Sequence, residues 1–423
     1  MDHRNETILI VDAGGSLARS LVHTIRGREV YCELVSSRRF LEEDHGDQDH
    51  IRGLVVTGKY GEVSDDLRKK LDSAGLPALI LNQESLDGGE PQDQLLADFL
   101  LDTCGCRGDW TVDRYIDQIV AEIRGTVGRK KVICGLSGGV DSSVAAFLVH
   151  RAVGDQLTCV FVDHGFMRKD EPDMVRSMFS DQYKIPLVFV DATDPFLKEV
   201  EGVLDPETKR KRIGETFIRV FENEARKIDA SYLVQGTIYP DVIESGEDGQ
   251  VVKSHHNVGG LPDRIQFEGM VEPLRFLFKE EVRAVGRALG LPPAMVDRQP
   301  FPGPGLAIRC LGGITKEKLD ILREADAIFR HEIETKGYRD RVSQYFAVMT
   351  GLQSVGVTDG TRTYDYTIAL RAVKTDDFMA ALPVEFPWEF LQNVSRRITE
   401  EVPHVSRVVY ELTGKPPATI EWE

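Results

Sequence analysis

The sequence lacks several features that would place it at once in a structural class. Its six cysteines are scattered and none forms a CxxC pair, which favours reduced thiols over a disulfide framework or a zinc site. No apolar run reaches the roughly 18 residues that a membrane span needs. The opening residues, MDHRNETILIV, lack the basic and apolar regions of a signal peptide. We therefore expect a cytoplasmic protein without a membrane partner.

An excess of basic charge is also lacking, since the formal net charge of the chain is -17 at pH 7. Net negative charge opposes general binding to a phosphate backbone, so we expect no nucleic-acid partner. One basic run, KRKR at 209–212, stands against this background. It leaves two interpretations open, a specific anionic ligand or a solvated helix face.

Strand-like and helix-like runs alternate in the first part of the chain, which predicts an open α/β sheet. Leu17, Leu21 and Ile25 lie four residues apart and predict a helix after the first strand. A further helix-like run lies at 91–101. The strand-like runs are at 7–11, 30–35, 53–57 and 78–81.

A second series begins after the glycine-containing segment CGCRGDWT at 104–111, where Thr111 is a candidate helix N-cap. Strands separated by helices predict right-handed crossovers and a doubly wound parallel sheet. The strand-like runs of this series lie near 132–136, 157–162, 187–190 and 231–235.

From about residue 300 the pattern changes to that of a smaller α+β domain, beginning with RQPFPGPG, which cannot be helical. Helices are predicted at 315–336 and near 388–402, and strand-like runs at 366–373 and 407–412. The chain is therefore predicted to have three domains, at 1–108, 109–299 and 300–423.

The strongest chemical signal is SGGVDSS at 137–143, between a predicted strand and a predicted helix. Two glycines allow a tight turn that exposes backbone N–H groups, and the helix N-terminus and hydroxyls add donors for an anion. The motif contains no lysine and is not a Walker loop. It predicts a phosphate site, and the alternative is a turn that binds nothing. Asp141 is a candidate metal ligand or a helix cap.

This motif resembles the pyrophosphate loop of the ATP pyrophosphatases, which cleave ATP between its α and β phosphates. The resemblance implies ATP and Mg²⁺ as cofactors. It implies that the metal is held by Asp141 and that adenine lies near Val162 and Phe217. It implies that the phosphates are held by Ser137, Gly138, Gly139, Val140, Asp141, Ser142 and Ser143.

Within that class, the chain from about 104 to 423 resembles the GMP synthetases. The similar segments are VDHGFMRKDE, DPETKRKRIGETFI, VQGTIYPDVIES, KSHHNVGGLP, EPLRFLFKEEVRAVGRALGLP, RQPFPGPGLAIRCLGG and TGKPPATIEWE. One departure is His164, where that family usually has asparagine. The adjacent pair His255-His256 does not predict zinc, because neighbouring side chains point to different sides of a regular element and no cysteine lies nearby.

The resemblance to GMP synthetases also implies roles for particular residues. Lys279 and a lysine of the lid at 205–218, Lys211, are expected to act on the phosphates with Asp141. Xanthosine monophosphate (XMP) is expected to be bound by Arg298, Pro300, Lys415, Ile420 and Glu421. The C-terminal domain is expected to complete this site and to form a homodimer.

The implied reaction is adenylation of the C2 oxygen of XMP, followed by attack of ammonia to give GMP, AMP and pyrophosphate. No side-chain nucleophile is needed, since the activated oxygen leaves. One alternative is a non-catalytic nucleotide-binding or regulatory protein with the same fold. Another, an RNA-modifying pyrophosphatase, would need a basic RNA-binding appendage that the sequence does not show.

The first 108 residues resemble a truncated, flavodoxin-like class I glutamine amidotransferase module. The expected nucleophilic cysteine is absent, because Asn82 stands at the predicted position in LPALILNQES, and no histidine there is followed by x-Glu. We therefore expect the chain to use free ammonia, or ammonia from a separate glutaminase subunit. The module is predicted to be inactive and to stabilise or dock something.

Overall fold

The computed structural model describes residues 6–14, 17–42, 50–58, 63–81, 90–244, 267–358, 360–375 and 379–423. Its strands are β1 (Thr7–Asp12), β2 (Tyr31–Ser36), β3 (Ile51–Thr57), β4 (Ala78–Leu81), β5 (Val132–Leu136), β6 (Leu157–Asp163), β7 (Leu187–Asp191), β8 (Tyr232–Val234), β9 (Gly269–Val271), β10 (Gln344–Thr358), β11 (Thr361–Lys374), β12 (Leu382–Pro383) and β13 (Val405–Tyr410).

The α-helices are α1 (Leu17–Arg26), α2 (Ser37–Glu42), α3 (Asp65–Ser73), α4 (Glu90–Asp98), α5 (Val112–Val127), α6 (Val140–Val153), α7 (Glu171–Arg176), α8 (Thr193–Val200), α9 (Pro206–Ile228), α10 (Tyr239–Glu244), α11 (Lys279–Ala288), α12 (Pro293–Val296), α13 (Lys316–Thr335) and α14 (Trp388–Glu401). Two π-helical turns continue α4 and α7, at Phe99–Thr103 and Ser177–Gln182. Short 3₁₀ turns lie at Gly154–Gln156, Gly305–Arg309 and Arg339–Arg341. In the described ranges, no helix combines the length and apolar character needed to cross a bilayer.

The chain divides into two compact units. The first takes its described residues from Met1–Glu122, Ile238–Val252 and Phe276–Ala288, and the second takes them from Ile123–Thr237, Lys253–Arg275 and Leu289–Glu423. The segments 238–252 and 276–288 come after SGGVDSS in the sequence, but their described residues belong to the same unit as the N-terminal residues.

The first unit contains a four-stranded parallel sheet in the order β2-β1-β3-β4. This is the order of the first strands of a flavodoxin-like sheet. The predicted strands and helix are confirmed, and Leu21 and Ile25 of α1 are fully buried. Thr111 caps α5 as expected, because its hydroxyl accepts the Arg114 N–H at 3.4 Å.

The second unit contains a five-stranded parallel sheet in the order β7-β6-β5-β8-β9. The predicted α/β class is confirmed. Sequence inspection missed β9, which has only three residues and a half-exposed Met270, so no periodicity marks it. The segment 205–218, expected to be a lid, forms the first part of the continuous helix α9. Asp205 caps this helix by accepting the Thr208 N–H at 2.8 Å.

The C-terminal part of the second unit is a mixed sheet in which β10 and β11 are antiparallel, with β12 and β13 on β11. Strand β10 was not predicted, because Gly351, Gln353 and Ser354 interrupt its apolar pattern. One apolar core continues from Val160 of the parallel sheet through Phe221 of α9 to Ile368 of β11. This shared core fixes the C-terminal residues relative to the carboxyl ends of the parallel strands.

Candidate functional site

The strand order of the second unit identifies one edge as a candidate ligand site. Counted from β5, the order is 3-2-1-4-5, so the connections change direction between β5 and β8. In doubly wound sheets, ligands bind outside the carboxyl ends of the strands at this switch point. The two segments there are SGGVDSS, which follows β5, and QGT at 235–237, which follows β8.

The loop after β5 is ordered by its own hydroxyl groups. The Ser137 and Ser142 hydroxyl oxygens lie 3.1 Å apart, and the Ser142 hydroxyl accepts the Ser137 N–H at 3.3 Å. The Ser143 hydroxyl donates to the Gly139 carbonyl at 2.8 Å. Gly138 has a φ of +75°, a conformation that favours glycine. These contacts shape a turn directly before α6, where helix N–H groups attract anions.

The segment after β8 packs against this turn through Gly236. A Cβ at Gly236 would lie 3.4 Å from the Asp141 carbonyl carbon and 3.4 Å from the Ser142 nitrogen. These are ordinary contact distances even for an added Cβ, so the two strand ends pack directly against each other. The next residue, Thr237, donates its hydroxyl to Glu272 at 2.7 Å.

Arg298 lies at the loop, and this was not evident from the sequence. Its Nη1 donates to the Gly138 carbonyl at 2.5 Å, and its Nη2 pairs with the carboxylate of Glu171. Glu171 is buried and also accepts the Arg168 N–H at 3.1 Å. The arginine expected at the XMP site thus contacts the predicted pyrophosphate loop directly.

A buried arginine cluster lies beyond Glu171. The guanidinium carbon of Arg168 is 4.2 Å from the centre of the Phe301 ring, and that of Arg309 is 5.3 Å from it. Nε and Nη2 of Arg168 and Nη1 of Arg309 are buried without a hydrogen-bond partner among the described residues. Burial lowers the pKa of Arg168 to about 9, although Asp326 opposes this effect. Arg168 is ion-paired with Asp326 at 3.9 Å, but its N–H groups and that of Arg309 without acceptors could still bind an anionic ligand.

Sequence reasoning missed Arg168 and Arg309. The available signal was an arginine directly after a short apolar run, in GFMR and in GLAIR. A buried charge is costly without a partner, so such a position is worth testing as a site.

The C-terminal segment contacts the same arginine cluster through Glu421. Arg309 donates to both carboxylate oxygens of Glu421, at 3.0 and 2.7 Å, and Arg371 donates to the Ile420 carbonyl at 3.0 Å. Buried Ile420 packs in a small apolar cluster with Val348. The N–H of Lys415 donates to the Ala381 carbonyl at 2.8 Å. Glu421 is therefore linked through Arg309 and Phe301 to Arg168.

The basic run at 209–212 has two environments. Lys209 is fully buried, donates to the Cys310 carbonyl at 2.9 Å and pairs with the carboxylate of Glu423. Arg210 donates to the Glu423 carbonyl at 2.5 Å. Lys211 and Arg212 are exposed, so they fit the solvated-face interpretation. The role of Lys211 at the phosphates stays a prediction.

The other predicted residues lie on surrounding elements of the second unit. Val162 is buried in β6, and Phe217 of α9 stacks on Phe221 with ring centres 6.3 Å apart. Pro300 is exposed. His164 is buried and its Nδ1 accepts the Phe166 N–H at 3.1 Å, which an asparagine oxygen could also do. Burial lowers the pKa of His164 to about 4, so the ring is neutral at pH 7.

Some predictions fall elsewhere in the chain. Lys279 is the first residue of α11, within the first unit. Asn82 and the segment KSHHNVGGLP at 253–262 lie outside the described residues.

The described cysteines of the N-terminal region are poorly suited to nucleophilic chemistry. Burial raises the pKa of Cys32 and of Cys104 to about 12, and that of Cys106 to about 11. Because the thiolate is the reactive form, these raised pKa values keep the reactive fraction of each thiol small at neutral pH.

A parallel sheet with an SGGxDSS loop at its switch point defines the ATP pyrophosphatase class. Comparisons with known proteins agree. A family model described as GMP synthase C terminal domain matches residues 331–422, and one described as NAD synthase matches residues 112–210.

Three of the similar proteins are each named GMP synthase [glutamine-hydrolyzing]. The relative from Acetivibrio thermocellus is 61% identical over 331 residues, which cover 78% of this chain and 65% of the relative. That from Clostridium botulinum strain Loch Maree is 44% identical over 510 aligned positions, 99% of each chain, and that from strain Hall is 58% identical over the same length. The chain belongs to the GMP synthase family.

Proposed function

We propose that the protein catalyses ATP-dependent amination of XMP to GMP through an adenyl-XMP intermediate, releasing AMP and pyrophosphate. The observation that carries the proposal is the chain of contacts from the loop to the C-terminal residues. It runs from Gly138 through Arg298 and Glu171 to Arg168, and then across Phe301 to Arg309. This network connects the SGGVDSS loop with buried guanidinium N–H groups that have no hydrogen-bond acceptor among the described residues.

The loop supplies donors for the β and γ phosphates of ATP. Its hydroxyls at Ser137 and Ser142, which lie 3.1 Å apart, and the first N–H groups of α6 are proposed to stabilise the negative charge that accumulates on the leaving pyrophosphate. The adenine is proposed to lie near Val162 and Phe217. Lys279 and Lys211 are proposed to add positive charge to the phosphates.

The monophosphate of XMP is proposed to bind at the free N–H groups of Arg168 and Arg309. Its purine is proposed to contact Ile420, Glu421 and Pro300, with Lys415 close to the nucleotide. Since Arg298 contacts both the loop and Glu171, it ties the substrate site to the pyrophosphate site. These residues orient the C2 oxygen for adenylation and hold the product for attack by ammonia.

Magnesium is proposed to bind at Asp141, where it would neutralise charge on the pyrophosphate. No group of three or more acidic, histidine or cysteine side chains in the described ranges could hold a metal alone. This fits Mg²⁺, which is commonly held by one or two carboxylates together with substrate phosphates.

Ammonia is proposed to come from solution or from a separate glutaminase subunit. This rests on the absence of a cysteine at Asn82 and on the raised pKa of the thiols of Cys32, Cys104 and Cys106.

A homodimer through the C-terminal sheet is also proposed. Val355, Val357 and Tyr364 are exposed, and Val355 pairs directly with Tyr364 across the β10–β11 ribbon. Light scattering of the protein with Val357→Lys should give a monomer if this face joins two copies.

The experiment that tests the proposed reaction is measurement of GMP and AMP formed from XMP, ATP and ammonium chloride. Equimolar GMP and AMP are expected. Tight binding of XMP or ATP without AMP release would contradict the proposal and favour a regulatory nucleotide-binding protein.

A further inference from the structure

The N-terminal unit contains a buried charged cluster that the proposed reaction does not use. Arg26, the last residue of α1, has a side chain that is 4% exposed. It donates to the Cys32 carbonyl at 2.9 Å, within the N-terminal sheet. It also donates to the Phe276 carbonyl at 2.7 Å and to Glu281 at 2.8 Å. One guanidinium therefore joins the N-terminal sheet to the start of α11.

Aromatic rings enclose the guanidinium of Arg26. Its central carbon lies 5.0 Å from the ring centre of Tyr31, 4.8 Å from Tyr239 and 4.9 Å from Phe278. Trp110 lies 5.5 Å away. Cation–π attraction is strongest where the cation is desolvated, so this enclosure fixes Arg26 in one position.

Glu281 completes the cluster and defines the first turn of α11. Its Oε2 accepts the Phe278 N–H at 2.7 Å, as in a capping box, where the third helical residue reaches back to the cap. Its Oε1 accepts the Trp110 indole N–H at 2.6 Å. The position of Lys279, which directly follows Phe278, therefore depends on Arg26 and Trp110.

We propose that Arg26 is a positioning residue for the amination reaction, because it anchors the α11 N-terminus that carries Lys279. Within the first unit, Arg26 thereby holds the helix start that carries Lys279. The catalytic half of this inference rests on the proposed function and on the role of Lys279 stated there. The anchoring half rests only on contacts within the first unit.

The test compares four variants of the full chain with the wild type. Arg26→Met removes the anchor, and Arg26→Met/Glu281→Gln removes it without leaving a stranded carboxylate. Arg26→Lys keeps the charge with fewer donors. Arg52→Met is the matched control, since Arg52 belongs to the same sheet region and pairs only with Glu6 at a partly exposed position among its described contacts.

Hydrogen exchange measured by mass spectrometry tests the anchoring. Loss of charged hydrogen bonds is expected to speed exchange of peptides from 276–288 about tenfold or more in Arg26→Met and in Arg26→Met/Glu281→Gln. Peptides from α6 should be unchanged, and Arg26→Lys should recover part of the protection. Equal exchange in wild type and variants, or equally faster exchange in all peptides, would overturn the anchoring.

Steady-state kinetics with ammonium test the catalytic half. Arg26→Met/Glu281→Gln should lower kcat about tenfold while the KM for XMP changes less than about twofold. Arg52→Met should behave as the wild type. Unchanged kcat with faster exchange at 276–288 would overturn the catalytic role of the anchor. A wild-type protein without amination activity would overturn the proposed function and this half together, while the exchange data still decide the anchoring.

Discussion

The two parallel sheets differ in the polar groups near the carboxyl ends of their strands, although a buried N–H without a described hydrogen-bond partner also occurs in the first unit, at Arg26 Nε. In the N-terminal sheet, Asp12 accepts the Gly14 N–H at 2.9 Å and the Thr57 hydroxyl at 3.3 Å, so neighbouring groups satisfy one another. In the second unit, Arg168 and Arg309 retain buried N–H groups without described partners. Two sheets of one fold class thus differ at their strand ends, where function is determined.

The largest effect is expected from removing the guanidinium of Arg168, two of whose N–H groups have no described hydrogen-bond acceptor. Arg168→Met should raise the KM for XMP about 100-fold, because a buried charge-assisted contact to an anion is lost. Asp326 would keep its ion pair with Arg330 at 3.9 Å, and its Oδ1 would still accept the Ala347 N–H at 3.0 Å. Kinetics with varied XMP measure this effect. The control is Arg176→Met, which changes an exposed arginine stacked on Phe189; equal effects of the two substitutions would contradict the assignment.

The second prediction concerns the thiols of the N-terminal unit. Because burial raises the pKa of Cys32, Cys104 and Cys106, alkylation by iodoacetamide at pH 8 should be about 100-fold slower in the native chain than in denaturant. Peptide mass spectrometry measures each site. Rapid native labelling of any one of them would restore a candidate nucleophile and remove the contrast between the two sheets.

A smaller effect is expected from the loop backbone. Gly138→Ala places a Cβ at a φ of +75° and 3.2 Å from the Glu171 carboxylate. We expect kcat to fall about tenfold and the free energy of unfolding to fall by about 1–2 kcal/mol. Gly75→Ala also has a positive φ, but no atom lies within 4 Å of its added Cβ. That control should lose stability without losing activity, and a similar loss of kcat in both would argue against a specific loop role.

The smallest effect on activity is expected for His164→Asn. An asparagine oxygen can accept the Phe166 N–H in place of Nδ1, so amination should stay within about twofold of wild type. A loss of amination greater than about tenfold would show that the ring has a further role.

The same substitution should change the pH dependence of stability. The pKa of His164 is about 4 in the folded chain and about 6.5 in the unfolded chain, so the unfolded chain binds more protons between these values. The stability contribution is present above pH 6.5 and is lost as the pH falls to 4, by about 3 kcal/mol. Urea unfolding of wild type and His164→Asn at pH 7 and 4.5 should show a steeper decline for wild type, and parallel declines would contradict this.

Much of the fold followed from local patterns. The strands near β1, β5 and β6 are apolar runs, and α1 shows a four-residue apolar spacing, so short windows identified them. Strands β9 and β10 were not predicted, because their own residues show little alternation of apolar and polar side chains. Each forms by pairing with a neighbouring strand, β9 with β8 and β10 with β11. Tertiary contacts override weak strand propensity in such cases.

The candidate site was only partly visible in the sequence. The loop at 137–143 was identifiable because its chemistry is local. The contacts of Arg298 with Gly138, and of Arg309 with Glu421, join residues more than a hundred positions apart. The contact of Arg26 with Phe276 joins residues 250 positions apart in the sequence. Such pairings depend on the folded chain, so a linear pattern cannot show them.

The central claim is that the second unit activates XMP while this chain does not supply ammonia from glutamine. A single assay tests it most directly, in which AMP release from XMP and ATP is followed in parallel with ammonium and with glutamine. We predict GMP-coupled AMP release with ammonium and background release with glutamine. Equal rates with the two nitrogen donors would contradict the account.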